Sequence, residues 1–311
     1  MGNYIVRRIL SILPVLLVVS LVIFSIVHLT PGDPASAMLG DQATQEDVEA
    51  LRVKMGINDP LVVQYGRWIG NVLRGNFGKS VANNQPVSAM LRNCAKPTVS
   101  LTIYAMIISL LMALPLGMAA AKRKNTVVDH AISSVSLLGI SMPSFLLGLL
   151  LMMLFAVKLR WLPVSGFKDL SQGLGAHVRS LTLPAIALGF MHATFMTRMT
   201  RAAMLDVLMS DYIKMARAKG VREAWITSRH ALRNALISII TVTGQSLIGM
   251  LSGAAVVESL FGIPGIGQLM VNSIGRRDYN VIQAIVLVVA SLNVLINLAV
   301  DMIYGVIDPR V

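Results

Sequence analysis

The segment Asp211–Leu236, with the sequence DYIKMARAKGVREAWITSRHALRNAL, lies between two long apolar segments and holds more basic residues than any other short connection. Its first part has apolar residues at helical spacing. Gly220 is predicted to end this short helix, because glycine adopts a positive φ at little cost. A second helical run follows and continues into an apolar segment after Asn234. The predicted apolar face of the first helix comprises Tyr212, Met215, Ala216 and Val221.

Two interpretations of this segment are compatible with its residues. A short helix on the cytosolic side of a membrane bundle, joined to membrane helices at both ends, could transmit motion from a soluble partner. The segment could also be a basic loop at the membrane surface that follows the rule for membrane topology. Physical chemistry alone leaves both open.

The composition indicates a membrane protein. The 311 residues are 55% apolar, which excludes an ordinary soluble domain. Lysine and arginine number 27 against 15 acidic residues, a formal net charge of +12. These basic residues lie mostly beside apolar segments, so membrane topology explains them better than nucleic-acid binding does. The single cysteine, Cys94, excludes an internal disulfide and offers no metal cluster.

Six apolar segments are predicted to cross the membrane, which gives an all-α integral membrane fold with both termini cytosolic. A signal peptide is the alternative for the first segment, since Ala35–Ala37 is similar to a cleavage site. Its apolar run of 21 residues is longer than a signal needs, and an uncleaved helix is favoured. The predicted spans are Ile9–Leu29, Pro97–Ala121, Ala131–Val157, Leu181–Met204, Leu236–Val257 and Val281–Tyr304.

Catalytic motifs are missing from the sequence, so no catalytic, cofactor-binding or metal-binding residues are predicted. Gly78-Lys79-Ser80 is similar to the end of a phosphate-binding loop, but position 73, where that loop needs glycine, is leucine. The five histidines form no His-Glu-x-x-His pair, and no Gly-x-Ser-x-Gly elbow is present. His192, alone within the fourth span, is predicted to be a packing residue. We expect the chain not to be an enzyme.

The segment Asp211–Leu236 resembles the coupling loop of ABC importer permeases, in the version seen in dipeptide, oligopeptide and nickel permeases. The general motif is degraded here, because Lys214 and Met215 stand where it has Glu and its first Ala. The matching residues are Asp211-Tyr212, Ala216-Arg217-Ala218-Lys219-Gly220 and His230-x-Leu232-Arg233-Asn234-Ala235.

The N-terminal third also resembles this family, specifically the subunit type with a long first extracytoplasmic loop. With it, the resemblance covers the chain from Arg7 to Pro309. The matching stretches are Pro31–Ala35, Gly56–Leu61, Gln64-Tyr65, Gly75–Ser80 and Gln85–Val87.

The resemblance implies a fold like that of type I ABC importer permeases, with a small helical extracytoplasmic insertion. It implies four partners or partner types: a second, non-identical permease, two ATPase subunits, an extracytoplasmic substrate-binding protein and membrane lipid. ATP and Mg would bind to the ATPases and not to this chain. The implied location is the bacterial or archaeal plasma (inner) membrane. Small peptides are the first expected substrate and nickel or another metal chelate the second, while an ion-coupled secondary carrier is the competing class.

The predicted organisation has four parts. They are the N-terminus with the first span (1–29), an extracytoplasmic region (30–96), a transmembrane permease core (97–305) with the coupling loop at 206–234, and a cytosolic tail (306–311).

Two groups of site residues follow from the resemblance and from the residues themselves. Ser141–Ser144 interrupts the third span, either as a broken helix lining a pathway or as a kink repaired by neighbours. The residues predicted to couple to an ATPase are Asp211, Tyr212, Met215, Ala216, Arg217, Ala218, Lys219, Gly220, Arg233 and Asn234. The predicted pathway or gate residues are Ser141, Pro143, Ser144, Glu258, Gly262, Pro264, Gly265 and Asp301.

Overall fold

The computed structural model describes residues 2–29, 44–55 and 58–307. The predicted features at Pro31–Ala35, Ala35–Ala37, Gly56-Ile57 and in the tail from 308 lie outside the described residues. The α-helices are α1 (Gly2–Leu29), α2 (Gln45–Met55), α3 (Leu61–Leu73), α4 (Val87–Lys122), α5 (Val127–Ser141), α6 (Ser144–Leu151), α7 (Leu174–Leu208), α8 (Asp211–Ala218), α9 (Glu223–Trp225), α10 (Leu232–Phe261), α11 (Ile266–Gly275) and α12 (Tyr279–Ile307).

Within the described residues, four helices are long and apolar enough to cross a membrane, and a bent pair adds a fifth span if it counts as one. Helix α1 carries the apolar stretch Leu10–Ser25, which is not counted among these spans. The prediction of six spans is therefore supported for four or five of them. The four are Val87–Lys122, Leu174–Leu208, Glu223–Phe261 and Tyr279–Tyr304.

The third predicted span is broken and not merely kinked. Helix α5 and the helical segment Ser144–Lys158 are bent by 102° with respect to each other. Pro143 lies at the start of α6 with φ −60° and ψ 137°, an extended conformation. Proline lacks the N–H that a continuous helix needs at this point and clashes with the preceding turn, so the chain ends one helix and begins another. A π-helical turn, Met152–Lys158, then completes the segment.

The helices are longer than the apolar runs predicted from sequence. The second span begins ten residues earlier than predicted, at Val87 instead of Pro97, and the fourth begins at Leu174 instead of Leu181. At the other end of a span, α10 continues to Phe261, so Glu258 belongs to the helix, although the predicted fifth span ends at Val257. A helical backbone needs only its own hydrogen bonds to continue into polar sequence, and the apolar run underestimates its length.

One compact unit comprises Met1–Ala95 and Leu269–Leu295. In this unit α1 packs on α3, where Phe24 and Tyr65 make an edge-on ring contact with centroids 5.4 Å apart. The loop after α3 is fixed by Asp278, whose carboxylate accepts hydrogen bonds from the Ser80 hydroxyl and from the Val81 backbone N–H. Ser80 and Asp278 are both buried. Gly78-Lys79-Ser80 is thus part of a hydrogen-bonded turn.

The second unit, Lys96–Gln268 and Ile296–Val311, holds the larger apolar core. Its centre includes Leu101 from α4, Leu181 from α7 and Met250 from α10, all fully buried. Other large apolar side chains of this unit face outward, and Leu111 of α4 and Leu138 of α5 are each 70% exposed. Outward apolar side chains on long helices suit a lipid environment better than water.

Small residues allow close helix contacts within this unit. A Cβ at Gly249 would lie 2.7 Å from Cε1 of His192, and a Cβ at Gly244 would collide with Val300. Gly253, four residues further along α10, has Cδ1 of Leu188 as its nearest neighbour at 3.9 Å. Gly249 and Gly244 therefore allow α10 to contact two different helices closely, α7 and α12.

Candidate functional site

Helix α8 ends in a Schellman motif built on Gly220, which has φ +75°. The Val221 N–H donates to the Ala216 carbonyl at 3.2 Å, and the Gly220 N–H donates to the Arg217 carbonyl at 2.9 Å. These two bonds satisfy carbonyls that the last turn of a helix leaves unpaired, and they require a left-handed residue at position 220. The predicted role of Gly220 as the helix terminator is confirmed.

The side of α8 that faces the protein is anchored by Ile213, which is fully buried. Tyr212 and Met215, which the sequence placed on the apolar face, are 43% and 60% exposed. Ala216 is half-buried, so its exposure lies between that of Ile213 and that of Met215. The exposed face of α8 therefore presents an aromatic and a thioether side chain, while a residue that the sequence analysis did not select holds the helix in place.

Polar contacts connect α8 to the helix that follows it. The Asn234 side-chain amide donates to the Tyr212 hydroxyl at 2.8 Å and to the His230 carbonyl at 2.9 Å. Across the Gly220 turn, Nε of Arg217 lies 2.7 Å from Oε1 of Glu223. These contacts link α8 to α9 and to the first turn of α10.

The remaining predicted coupling residues are exposed. Lys214 pairs with Asp211 at 2.8 Å, and the Asp211 side chain is 95% exposed. Lys219 and Arg233 are exposed and have no ion pair in the part of the chain that the structure describes. Ala218 is exposed at the last turn. The exposed surface of α8 is thus a mixture of charged and apolar groups.

An ion pair between the buried carboxylate of Asp129 and the half-buried guanidinium of Arg201, which local sequence patterns do not predict, joins α5 to α7. Arg201 Nε and Nη2 donate to the two carboxylate oxygens of Asp129 at 2.5 and 2.7 Å. The Asn125 N–H donates to the same carboxylate at 2.9 Å, and the Asp129 side chain is only 2% exposed. A bidentate guanidinium pair with a third donor holds the two helices in one register. The residues are 72 positions apart, a separation at which sequence patterns give no pairing information.

Around the break in the third span, the structure leaves two of the predicted pathway residues exposed. Ser141 donates to the Leu137 carbonyl of its own helix at 3.1 Å, and its side chain is exposed. Pro143 is also exposed, while Ser144 is half-buried. Their pathway role stays a prediction.

Glu258 lies at the centre of a buried hydrogen-bond network and is fully buried. Thr98 donates from its hydroxyl to Oε1 of Glu258 at 2.6 Å, and the Gln268 N–H donates to Oε2 at 3.0 Å. The Thr98 oxygen also accepts from the Ile266 N–H at 2.8 Å. The carboxylate therefore joins α4, α10 and the first turn of α11, on both sides of the 262–265 turn.

The turn itself depends on its glycines. Gly262 ends α10 with φ +60°, a left-handed cap that returns its N–H toward Ser259. A Cβ on Gly265 would collide with the carboxylate of Glu258. Only glycine at position 265 leaves room for that carboxylate, and Pro264 is exposed between the two glycines. Four predicted gate residues, Glu258, Gly262, Pro264 and Gly265, are thus brought together, while their role as a gate stays a prediction.

Asp301, the remaining predicted pathway residue, is half-buried in α12. One turn away, the Tyr304 hydroxyl donates to the Thr241 hydroxyl of α10, so this face of α12 packs on α10. Within the described residues no group of three His, Cys, Asp or Glu side chains could hold a metal ion.

Two families match the chain. Residues 113–311 match the family described as "Binding-protein-dependent transport system inner membrane component", and residues 1–102 match its N-terminal counterpart. The probable peptide ABC transporter permease protein y4tP of Sinorhizobium fredii is 42% identical over 311 residues, covering 100% of this chain and 99% of the relative. The glutathione transport system permease protein GsiC is 41% identical in Salmonella paratyphi A and 39% identical in Escherichia coli K12, with the same coverage.

Among solved structures, the inward-facing MetNI methionine ABC transporter has a chain with a TM-score of 0.59 and 20% identity. The match covers 70% of this chain and 96% of that chain, and it shows the fold alone. The similarity to permeases extends over the whole chain, and the two family matches together cover most of it. Both agree with the long apolar helices of the structure. The chain therefore belongs to the permease subunits of ABC importers, in the peptide family of these proteins.

Proposed function

We propose that this chain is one half of the translocation pathway of an ATP-driven importer for small peptides, moved by separate ATPase subunits through the 211–234 loop. The observation that carries the proposal is the exposed helix α8, which ends at Gly220. Its Tyr212 accepts a hydrogen bond from Asn234, in the first turn of the membrane-spanning helix α10. A helix held at both ends in this way can act as a lever when a soluble partner binds it.

Small peptides are the first choice of substrate. Relatives with 42% and 41% identity over the full chain are named for peptide and glutathione transport, and glutathione is itself a tripeptide. No relative reported above is named for nickel, so nickel or another metal chelate remains the second choice. Dipeptides and longer peptides both fit the proposal.

The proposed complex contains a second, non-identical permease, two ATPases and an extracytoplasmic binding protein, in a bacterial inner membrane. ATP and Mg would be bound by the ATPases. In the proposed topology the chain has six spans with both termini cytosolic, which places α8 on the cytosolic side. The basic residues support this orientation, because Lys122 ends α4, Arg123 and Lys124 follow it, and all three lie on the same side as α8 in such an arrangement.

Copurification followed by transport tests the proposal. A tagged chain, expressed with its neighbouring transport genes, is expected to bring down two ATPases and a sister permease. Vesicles that hold the complex, with the binding protein outside, should take up a labelled dipeptide only when ATP is supplied on the ATPase side. If the chain alone accumulates solute without nucleotide, the proposal is wrong and an ion-coupled carrier is favoured. If nickel and not the dipeptide is taken up, only the substrate assignment fails.

A further inference from the structure

An open surface cavity of about 440 Å³ lies beside the N-terminal end of α10, within the second unit. It is formed where α9 passes through a π-helical turn, Ile226–Ala231, into α10. These segments make one continuous helix, Glu223–Phe261, which is long and apolar enough to cross a membrane. The cavity is lined by Trp225, Ser228, Arg229, Leu232, Arg233 and Leu236.

Two arginines and a tryptophan form the polar part of this cavity. The guanidinium carbon of Arg229 lies 4.9 Å from the centroid of the Trp225 ring, and the indole is 52% exposed. Arg233 follows four residues later and is exposed. In the described part of the chain neither arginine has an ion pair, whereas Arg217 and Arg201 both do. Two cations without counter-ions and with no acid among the lining residues make a strongly anion-attracting surface.

The other part of the cavity is apolar. Leu232 and Leu236 are half-buried and lie on the side that continues into the membrane-crossing part of the helix. Along the helix, the aromatic and first cationic lining residues therefore come before the two leucines, which lie nearer the membrane-crossing part. Tryptophan concentrates at the boundary between headgroups and hydrocarbon, and arginine side chains reach from that boundary to phosphates.

We propose that this cavity binds an anionic phospholipid, with the headgroup phosphate between Arg229 and Arg233 and the acyl chain along Leu232 and Leu236. The cation stacked on Trp225 would be held in place before the lipid arrives, which lowers the entropic cost of binding. A free phosphate would use the arginines alone and leave the leucines in water. The combination of charge and apolar surface therefore favours a lipid.

The site would place a lipid against the segment that follows the proposed coupling helix. It does not require the proposed function, because lipid contact can be measured on this chain without its partners. A competing occupant is an acidic surface of a partner ATPase, which would use the same arginines.

The test uses fluorescence of the full chain in lipid nanodiscs. A W68F/W161F variant leaves Trp225 as the sole tryptophan of the three in the chain. Lipids brominated near the glycerol end quench tryptophans that they contact, so brominated phosphatidylglycerol is compared with brominated phosphatidylcholine in otherwise identical mixtures. We expect stronger quenching by the anionic lipid, and inorganic phosphate at constant ionic strength should not relieve it.

Charge variants make the test specific. R229Q and R233Q should each lower the preference for the anionic lipid about fivefold, while R229K should retain most of it. R222Q is the matched control, because Arg222 is exposed, lies three residues before Trp225 and does not line the cavity. Equal quenching by both lipids, an R222Q effect as large as that of R229Q, or relief by phosphate would each overturn the proposal. The first of these outcomes would leave the acidic partner surface as the occupant to test.

Discussion

The Thr98 hydroxyl donates a 2.6 Å hydrogen bond to the carboxylate of Glu258, although the two residues are 160 positions apart. The same hydroxyl oxygen accepts from the Ile266 N–H, and both side chains are buried. The Thr98 hydroxyl thus donates to a carboxylate near the end of α10 and accepts from a backbone N–H at the start of α11. The conformation of the intervening turn, 262–265, depends on this pair.

Replacing Thr98 with valine should destabilise the protein by about 1–3 kcal/mol, because valine keeps the shape but removes one donor to the buried Glu258 carboxylate and the side-chain acceptor of the Ile266 N–H. The thermal unfolding midpoint of the purified protein in detergent should fall accordingly. Thr243→Val is the matched control, since the Thr243 hydroxyl donates only to the Ile239 carbonyl of its own helix. We expect the control to change stability by less than about 0.5 kcal/mol. Equal unfolding midpoints for the two variants would show that the hydrogen bonds of Thr98 do not contribute to the stability of the protein.

The ion pair between the buried Asp129 and the half-buried Arg201 gives a larger predicted effect. Arg201→Gln leaves a carboxylate with 2% exposure without its cation and should cost about 3–5 kcal/mol. Arg201→Lys keeps the charge but loses the two-pronged geometry, so its loss should be intermediate. Arg198→Gln, on the exposed face of the same helix, should be nearly neutral.

A double variant, Asp129→Asn with Arg201→Gln, tests whether this loss comes from the uncompensated charge. The midpoint of the double variant should recover part of what Arg201→Gln loses, because no charge is then left buried. If the double variant is as unstable as the sum of the two single variants, the pair is not coupled in the way that its geometry indicates.

Local patterns predicted the apolar helices and the end of α8, because both depend on neighbouring residues. Spacing of apolar side chains and a glycine with positive φ are properties of a short window of sequence. The same windows gave helix limits that were too narrow, as at Val87 and Leu174. A helix continues until a cap stops it, and Gly262, not the end of the apolar run at Val257, ends α10.

The site residues that the sequence analysis missed depend on long-range packing. Ile213 was grouped with none of the selected residues, because the spacing of Tyr212 and Met215 indicated a different apolar face. The burial of Ile213 is decided by what packs against α8, which includes the π-helical turn 226–231. Asp129 and Arg201 each resemble ordinary residues at the ends of spans, and only the fold brings them into contact.

The contact between Gly249 and His192 predicts unequal effects for two glycines on one helix. Gly249→Ala would place a Cβ 2.7 Å from Cε1 of His192 and should cost about 1–3 kcal/mol. Gly253→Ala has 3.9 Å of space and should be neutral or stabilising by up to about 1 kcal/mol, since alanine favours helix. Thermal unfolding of the two variants, measured in the same detergent, checks the difference.

The double variant G249A/H192A identifies the source of that cost. Removing the imidazole should make the alanine at 249 less damaging than it is beside His192, so the two changes should not add. Strict additivity, or equal losses for G249A and G253A, would contradict the close approach of α7 and α10 at this point.

Gly220 tests the proposed lever. No heavy atom lies within 4 Å of a Cβ built at this position, so a substitution there changes only the backbone preference. A left-handed conformation costs ordinary residues about 1–2 kcal/mol, while asparagine adopts it more readily. Gly220→Val should therefore shift α8 out of its Schellman end and abolish ATP-dependent uptake, whereas Gly220→Asn should retain most of it. Both variants should insert into the membrane at wild-type levels, because the strain is small and local.

Uptake of a labelled dipeptide by cells, normalised to the amount of the protein in the membrane, separates the effect on transport from the effect on insertion. Normal uptake by Gly220→Val at normal abundance would mean that the angle set at this glycine does not couple the ATPase to α10.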